Sequence, residues 1–337
     1  MKKILSIVVP TYNMEQYLNR CINSFIEASE VLPELEIVIV NDGSTDKSLD
    51  IALKYKELYP TSVVVIDKKN GNYGSCINAG LKIATGKYFK IVDADDKVNT
   101  SELIKFIKKI RDIDSDLIVT NFEVIHKNNR KEIRRTSQPI FEQIIPIESP
   151  LLMKYVRKDF TMHKSTFRTE LLREIGYMQT EGISYTDTEF VYYPLLHTKN
   201  MIFLDLNLYQ YFVGREGQTI SIKSRINHAN DIYIIIKRLL KTPIINKEKQ
   251  SLYHLQMEFL CFIISGYYHI KLVLQPLNNQ TNLQLKELDK QIQSFSQEVY
   301  DRMNLIKCLK LPYIKIWRKY NIQIINPNLY SFLKKIK

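Results

Sequence analysis

Asp93-Ala94-Asp95-Asp96 sets three carboxylates within four residues. Carboxylates this close repel one another, so the cluster calls for a counter-charge, and a divalent cation is the usual one. The alternative is a solvated acidic turn in which one Asp caps a helix. A second carboxylate, Asp42, stands in Asn41-Asp42-Gly43-Ser44-Thr45-Asp46 and could accept the N3–H of a uracil, or simply begin a turn before Gly43. Tyr12 could stack on a base or pack its own loop. Asn70-Gly71-Asn72-Tyr73-Gly74-Ser75 is neither a Walker A motif nor GxGxxG. Its glycines can still let backbone approach a ligand closely, and the helix that follows favours phosphate at its N-terminus.

The elements that must position these groups alternate along the chain. Ile4–Val9 reads as a buried parallel strand ended by Pro10, and Asn13 is placed to cap a helix over 14–28. Strands over 35–40 and 62–66 follow, with a helix between them that Asp46 can cap. The glycine loop opens a helix over 76–85 that Gly86 ends. Lys87-Tyr88-Phe89-Lys90-Ile91-Val92 is the fourth strand and delivers the carboxylates. Four strands alternating with three helices mean a parallel α/β sheet. Ligands bind such sheets beyond the carboxyl ends of the strands, where the polar motifs after strands one, two and four fall. On an extended backbone Asp93 and Asp95 point the same way and could share a ribose and a metal-bound diphosphate. Asp96 would point elsewhere, to a sugar hydroxyl or a helix N-terminus.

Farther on, the patterns predict a helix over 101–111, a strand over 116–121 and a hairpin of 122–126 with 132–136. They continue with a mostly helical stretch over 151–176, a helix over 187–196, and strands over 201–204 and 208–213. Only helices are expected beyond 226.

Pro10-Thr11-Tyr12-Asn13, then Asn41-Asp42-Gly43-Ser44-Thr45-Asp46, then Ala79-Gly80-Leu81…Ala84-Thr85-Gly86-Lys87-Tyr88, then Asp93-Ala94-Asp95-Asp96 resembles the family 2 glycosyltransferases. The motifs match in order and spacing over residues 4–100, and less tightly to about 222. The resemblance implies the GT-A fold, a Rossmann-like, mostly parallel sheet flanked by helices, here with an added helical C-terminal region. It implies an inverting enzyme that uses a UDP-sugar and Mn²⁺ or Mg²⁺. In that scheme Asp42 binds the uracil, Asp93 the ribose and diphosphate, and Asp95, with Asp93, the metal. Pro10, Thr11, Tyr12, Asn13, Asn70, Gly71, Gly74, Asn78 and Ala94 complete the nucleotide-sugar site. Cys76-Ile77-Asn78 departs from the family, where an arginine often precedes the asparagine, so a phosphate contact falls to Lys68, Lys69 or Arg215.

Tyr185-Thr186-Asp187-Thr188-Glu189 resembles the family's Glu-Asp segment with threonine in the Glu position, which makes Asp187 the implied base. Its other reading is a helix cap. Tyr209-Gln210-Tyr211…Gly214-Arg215-Glu216-Gly217-Gln218-Thr219-Ile220-Ser221 resembles the segment that closes over the diphosphate, with Arg215 as the phosphate partner. Thr161-Met162-His163-Lys164 is similar to the acceptor-side region of related bacterial enzymes, so His163 and Asp96 are the implied acceptor contacts. The acceptor would be a glycan, glycolipid or glycoprotein.

Composition bounds the rest. The chain is 45% hydrophobic and 25% charged, a globular mix. Cys21, Cys76, Cys261 and Cys308 show neither disulfide nor zinc spacing. The N-terminus reads as a strand instead of a signal peptide, and Phe259 to Ile270 reads as too short to span a bilayer. A cytoplasmic enzyme is expected. Residues 1–224 hold 30 Lys and Arg against 29 Asp and Glu, and residues 225–337 hold 18 against 7. The division is therefore a catalytic domain over 1–224, with a nucleotide-binding half 1–100 and an acceptor-side half 101–224, and a basic helical region over 225–337. From Arg302 to Lys337 nine basic residues stand with no acidic one. That stretch suits a solvated basic face, an anionic membrane at the inner face of the cell, or an acidic partner, and nucleic acid is not expected. Two other functions compete: a sugar-nucleotide pyrophosphorylase, which lacks its Arg/Lys glycine loop here, and a non-catalytic membrane- or partner-binding scaffold.

Overall fold

The computed structural model describes residues 2–128, 130–136, 140–215, 218, 221–328 and 330. The chain packs as two compact units, Met1–Glu216 and Gly217–Lys337.

The first unit is built on one mixed sheet. β1 (Leu5–Thr11), β2 (Leu35–Asp42), β3 (Val63–Lys68) and β4 (Tyr88–Ile91) run parallel in the order β3-β2-β1-β4. The crossovers are α1 (Leu18–Ile26), α2 (Ser48–Leu58) and α3 (Asn72–Ile83). Beyond β4 come β5 (Lys97–Val98), α4 (Thr100–Ile110), β6 (Leu117–His126), β7 (Lys131–Arg134) and β8 (Ile144–Pro146). β9 (Ser165–Arg168), α5 (Thr169–Glu174), α6 (Asp187–Leu195) and β10 (Asn200–Val213) complete the unit. β9 is inserted antiparallel between β4 and β6, β6 runs parallel to β10, and β5 closes that end.

Alternation along β1 sorts the two faces. Leu5, Ile7 and Val9 join a core with Phe25, Tyr55, Leu103 and Phe106 from α1, α2 and α4. Val8 faces the other way, against α3, where a Cβ on Gly80 would lie 2.6 Å from its side chain. That face is where α3 must sit close.

Several expected elements differ. Asn13 does not cap a helix: it has φ +53°, and α1 begins only at Leu18. Asp46 lies just ahead of α2 and accepts the Ser48 N–H at 3.0 Å. α3 starts at Asn72, four residues early, so the glycines belong to the helix and its cap. The stretch 151–176 is not mostly helical. It holds the short 3₁₀ turns Pro150–Lys154 and Arg157–Asp159, then β9 and α5. β9 is a four-residue strand that only its two neighbours stabilise, which is the situation in which local preference is least informative. The strands expected at 116–121 and 122–126 are one strand, β6. Likewise 201–204 and 208–213 are one strand, β10, with register shifts between Leu204 and Tyr209.

The second unit is helical: α7 (Ile222–Asn227), α8 (Ala229–Leu239), α9 (Gln250–His269), α10 (Asn279–Phe295), α11 (Gln297–Met303) and α12 (Tyr313–Tyr320). Leu255, Leu260, Ile264, Tyr268, Leu288 and Trp317 are buried in it. Arg318 donates to both oxygens of Asp289, which also accepts the Tyr268 hydroxyl at 2.5 Å. Pro312 stands just before α12. The reading of the long apolar stretch as too short is corrected. α9 continues through a π turn to Leu274, giving 25 residues whose most apolar 18-residue window has a mean hydropathy of 1.4, long and apolar enough to cross a membrane. In this unit 61% of its most apolar window is buried, as in the core helix of a bundle.

Candidate active site

The loops after β1 and β2 are laced together. Asn13 Oδ1 accepts the Thr45 N–H at 2.9 Å, and the Asn13 and Met14 N–H groups donate to Ser44 and Ser48 hydroxyls. Tyr12 stands 48% exposed above them. Thr11 does not line this loop: it is buried and its hydroxyl donates back to Val9 O at 3.1 Å.

Asp42 sits at the end of β2, buried, with Oδ1 accepting Lys68 Nζ at 2.7 Å and Gly71 N–H at 3.0 Å. The Asn70 amide donates to Asp42 O at 2.9 Å, so the glycine loop folds over this carboxylate. Lys68 also donates to Ser75 Oγ at 2.8 Å. The backbone that approaches Gly74 is the chain's own, because a Cβ there would lie 2.0 Å from Thr180 O. Asn78, expected at the nucleotide, spends its amide on the same segment. It donates to Gln179 O at 2.9 Å and Glu181 Oε1 at 2.8 Å, and accepts the Gln179 N–H at 2.8 Å.

The carboxylate cluster is a turn, not an extended run, closed by Asp96 N–H to Asp93 O at 2.9 Å. It therefore splits the three side chains. Asp93 Oδ1 accepts the Tyr73 hydroxyl at 2.8 Å. Burial first, then the Asp95 charge, pushes the Asp93 carboxyl up to about 7. Asp95 Oδ2 pairs with Arg215 Nε at 2.5 Å, and Arg20 donates to Asp95 O. Ala94 is core, not lining. Asp96 is fully buried and leaves the acceptor assignment: Tyr209 donates to Oδ2 at 2.6 Å and the Phe212 N–H to Oδ1 at 2.8 Å. Burial and its two acidic neighbours hold its carboxyl well above the usual range.

His163, named from the sequence for the acceptor side, lies against the carboxylate turn. Its ring stacks on Phe122 at 5.0 Å and meets Tyr209 edge-on at 4.8 Å. Ligand atoms of His163, Asp93 and Asp96 lie within 4.8 Å of one another. Burial and the nearby Lys90 and Arg157 charges push the imidazole down to about 3, so it is neutral. Its Nδ1 is buried without a hydrogen-bond partner.

Asp187 opens α6, with Thr186 as the cap residue, so the expected cap role falls one residue earlier. Its carboxylate accepts its own N–H and that of Thr188; burial raises its pKa, and Arg157 opposes that rise. The Asp187 charge is felt at Tyr73, at Asp93 and at Tyr211. The structure thus brings Asp93, Asp95 and Asp187 into one neighbourhood, with Arg215 paired to Asp95. Of the closing segment, Glu216, Gly217, Thr219 and Ile220 lie outside the described residues.

The Asp93 and Asp95 carboxylates, beside the His163 ring whose Nδ1 is unpartnered, form an oxygen-rich donor set. That set fits Mg²⁺ or Mn²⁺. Sequence reasoning missed Tyr73, Arg20, Arg157, Glu189 and the fully buried Lys90, which donates to His163 O at 2.9 Å. Tyr73 lay inside a flagged loop. The others carried no local signal.

The model of the family described as Glycosyl transferase family 2 matches residues 6–176. Poly(ribitol-phosphate) beta-N-acetylglucosaminyltransferase TarS of Staphylococcus aureus is 29% identical over 258 residues, covering 76% of this chain and 43% of TarS. Poly(ribitol-phosphate) beta-glucosyltransferase of Bacillus spizizenii is 29% identical over 222 residues, 65% of this chain and 33% of that protein. The chain therefore spans less than half the length of either relative. A crystal structure of a TarS fragment in complex with UDP-GlcNAc superposes with a TM-score of 0.68 at 20% identity, over 99% of this chain and 92% of that one. A mannosyltransferase from Pyrobaculum calidifontis in complex with GDP-Man and Mn²⁺ gives 0.55 at 15% identity, over 90% and 88%. Both likenesses are of fold.

Proposed function

The chain belongs to glycosyl transferase family 2, and from that membership we propose an inverting transferase that moves a sugar from a UDP-sugar to an acceptor hydroxyl. Residues 1–224 are the catalytic region in this reading and 225–337 an added helical region. UDP-GlcNAc is the donor to test first, since a TarS structure carries it. Two relatives act, by name, on poly(ribitol-phosphate), so a polyol-phosphate polymer is the first acceptor to test among glycans, glycolipids and glycoproteins.

The observation that carries the reading is that Asp93, which accepts the Tyr73 hydroxyl at 2.8 Å, lies near enough to Asp187 for the Asp187 charge to act on both. One carboxylate comes from the end of β4 and the other from the start of α6, so a leaving group and a base can face each other. Asp42 would accept the uracil N3–H, and exposed Tyr12 would stack on the ring. Pro10, Asn13, Asn70 and Gly71 would line that pocket. Asp93 would take the ribose, and Arg215 a phosphate oxygen once it leaves Asp95.

Asp95 and Asp93 would hold Mn²⁺ or Mg²⁺, which when bound supplies positive charge to the departing diphosphate. Asp187 takes the proton of the acceptor hydroxyl as the new C1–O bond forms and the C1–O bond to UDP breaks on the opposite face. Burial raises the Asp187 pKa and so makes it a stronger base than an exposed aspartate.

Thermal melting with UDP and Mn²⁺ tests the donor site. UDP should raise the melting temperature, and Asp95→Ala should abolish the shift. If no nucleoside diphosphate moves the melting temperature, the donor assignment fails.

A further inference from the structure

Between α11 and α12 the chain reverses in two residues. Cys308 N–H donates to Leu311 O and Leu311 N–H to Cys308 O, both at 2.9 Å. The central residues, Leu309 and Lys310, have φ +49° and +66°. A two-residue reversal with both residues left-handed is the geometry that Asn-Gly or Gly-Gly ordinarily occupies. Leucine and lysine have a Cβ that crowds the following carbonyl there. Backbone strain of this kind points toward a use for the side chains it presents.

What it presents is apolar and basic. Leu305 is 74%, Leu309 50% and Leu311 43% exposed. Lys307 and Lys310 are exposed among them, and Lys315, Lys319 and Tyr320 are exposed on the neighbouring α12. The base of the reversal is anchored, since Met303, Cys308, Tyr313 and Ile314 are buried. The nearest acidic side chain in sequence is Asp301, which accepts from Gln297 at 3.0 Å. From Arg302 onward the chain has no carboxylate side chain.

We propose that residues 305–311 dock the protein on an anionic lipid surface. Leu305, Leu309 and Leu311 enter the headgroup–acyl boundary, and Lys307 and Lys310 meet the lipid phosphates. Charge complementarity selects the occupant, because an uncompensated run of lysines around the leucines matches a negative interface. A convex two-residue tip also suits a fluid surface, which needs no preformed pocket to receive it. The inference is independent of the donor chemistry.

The test is co-flotation of the full chain with vesicles of phosphatidylcholine alone or mixed with phosphatidylglycerol. The protein should float with the anionic vesicles, and Lys310→Glu should cut its partitioning by about tenfold. Leu309→Gly relieves the left-handed strain, so it should keep or raise the melting temperature while losing flotation. Equal recovery with neutral and anionic vesicles, or equal flotation of Leu309→Gly and the parent, would overturn the proposal. So would self-association in solution that Leu309→Gly abolishes in the absence of any flotation, which would assign the tip to a second copy of the chain.

Discussion

Glu189 accepts both the amide and the hydroxyl of Thr180, each at 2.8 Å, while wholly buried in the first turn of α6. Thr180 O in turn lies where only a glycine, Gly74, lets α3 approach. Asn78 holds the residues on either side of Thr180, and Gly182 N–H donates to Gly71 O at 2.9 Å. The segment 179–182 is therefore strapped at once to the helix that carries the glycine loop and to the helix that begins with Asp187. That linkage fixes the distance between the donor loop and the base.

Glu189→Leu keeps much of the volume but removes both acceptors, so the Thr180 amide and hydroxyl lose this partner. A buried hydrogen bond left unmade costs roughly 1–3 kcal/mol. Steady-state kinetics should give a lower kcat with little change in the donor KM, and melting should fall by several degrees. A loss confined to melting temperature would reduce Glu189 to a fold residue.

Lys90 offers a stability test with a defined sign. Burial pushes its amine down to about 7 from the usual 10.5. Between those values the unfolded chain binds the proton and the folded chain does not, so this group makes stability rise with pH across that window. Below about 7 both states are protonated and the full penalty of the buried charge remains. The advantage of Lys90→Met over the parent should therefore grow as pH falls from 10 to 7 and then level off. Its span should be on the order of a few kcal/mol. Urea denaturation at several pH values measures this, and a pH-independent difference would contradict it.

The first hundred residues were the legible part, because each strand there is a continuous apolar run followed at once by a polar loop. Asp42, Asp93 and Asp95 stand at strand ends, and strand ends can be read locally. What could not be read is who answers whom across the fold. Asn78 and Asp96 have the right residue types for a ligand, yet a loop and β10 use up their hydrogen bonds. β9 carries four residues whose strand character comes from β4 and β6. Thr186 and Asp187 read as an echo of the Glu-Asp segment, whereas the anchoring task of Glu189, two residues on, exists only in the tertiary structure.

Asp187→Asn should separate base chemistry from folding. Asparagine can still accept the two backbone N–H groups at the start of α6, so the cap survives. Removing a buried ionisable carboxyl should leave the melting temperature equal or higher. Transfer from UDP-GlcNAc should fall by about 10²–10⁴-fold, the usual range for a positioned base. In the parent, the acidic limb of kcat/KM should lie above the ordinary aspartate range, in the direction that burial sets. Activity that survives the substitution intact would move the base to another group.

Arg215 and a divalent cation compete for the same carboxylate, and this gives the metal question a readout that needs no turnover. In the structure Arg215 Nε sits 2.5 Å from Asp95 Oδ2, with the Arg215 guanidinium 5.7 Å from the Tyr17 ring. A cation and an arginine cannot both neutralise that oxygen, so metal must displace the pair. Arg215→Met removes the competitor while keeping much of the side chain's bulk. It should therefore bind Mn²⁺ more tightly than the parent when no nucleotide is present, by about fivefold if the partly exposed pair contributes on the order of 1 kcal/mol. With UDP present the order should reverse, because the freed guanidinium is then the partner for phosphate that the variant lacks. Titrating Mn²⁺ by electron paramagnetic resonance, with and without UDP, measures both affinities. Equal Mn²⁺ affinity in parent and variant without nucleotide would detach Asp95 from the metal.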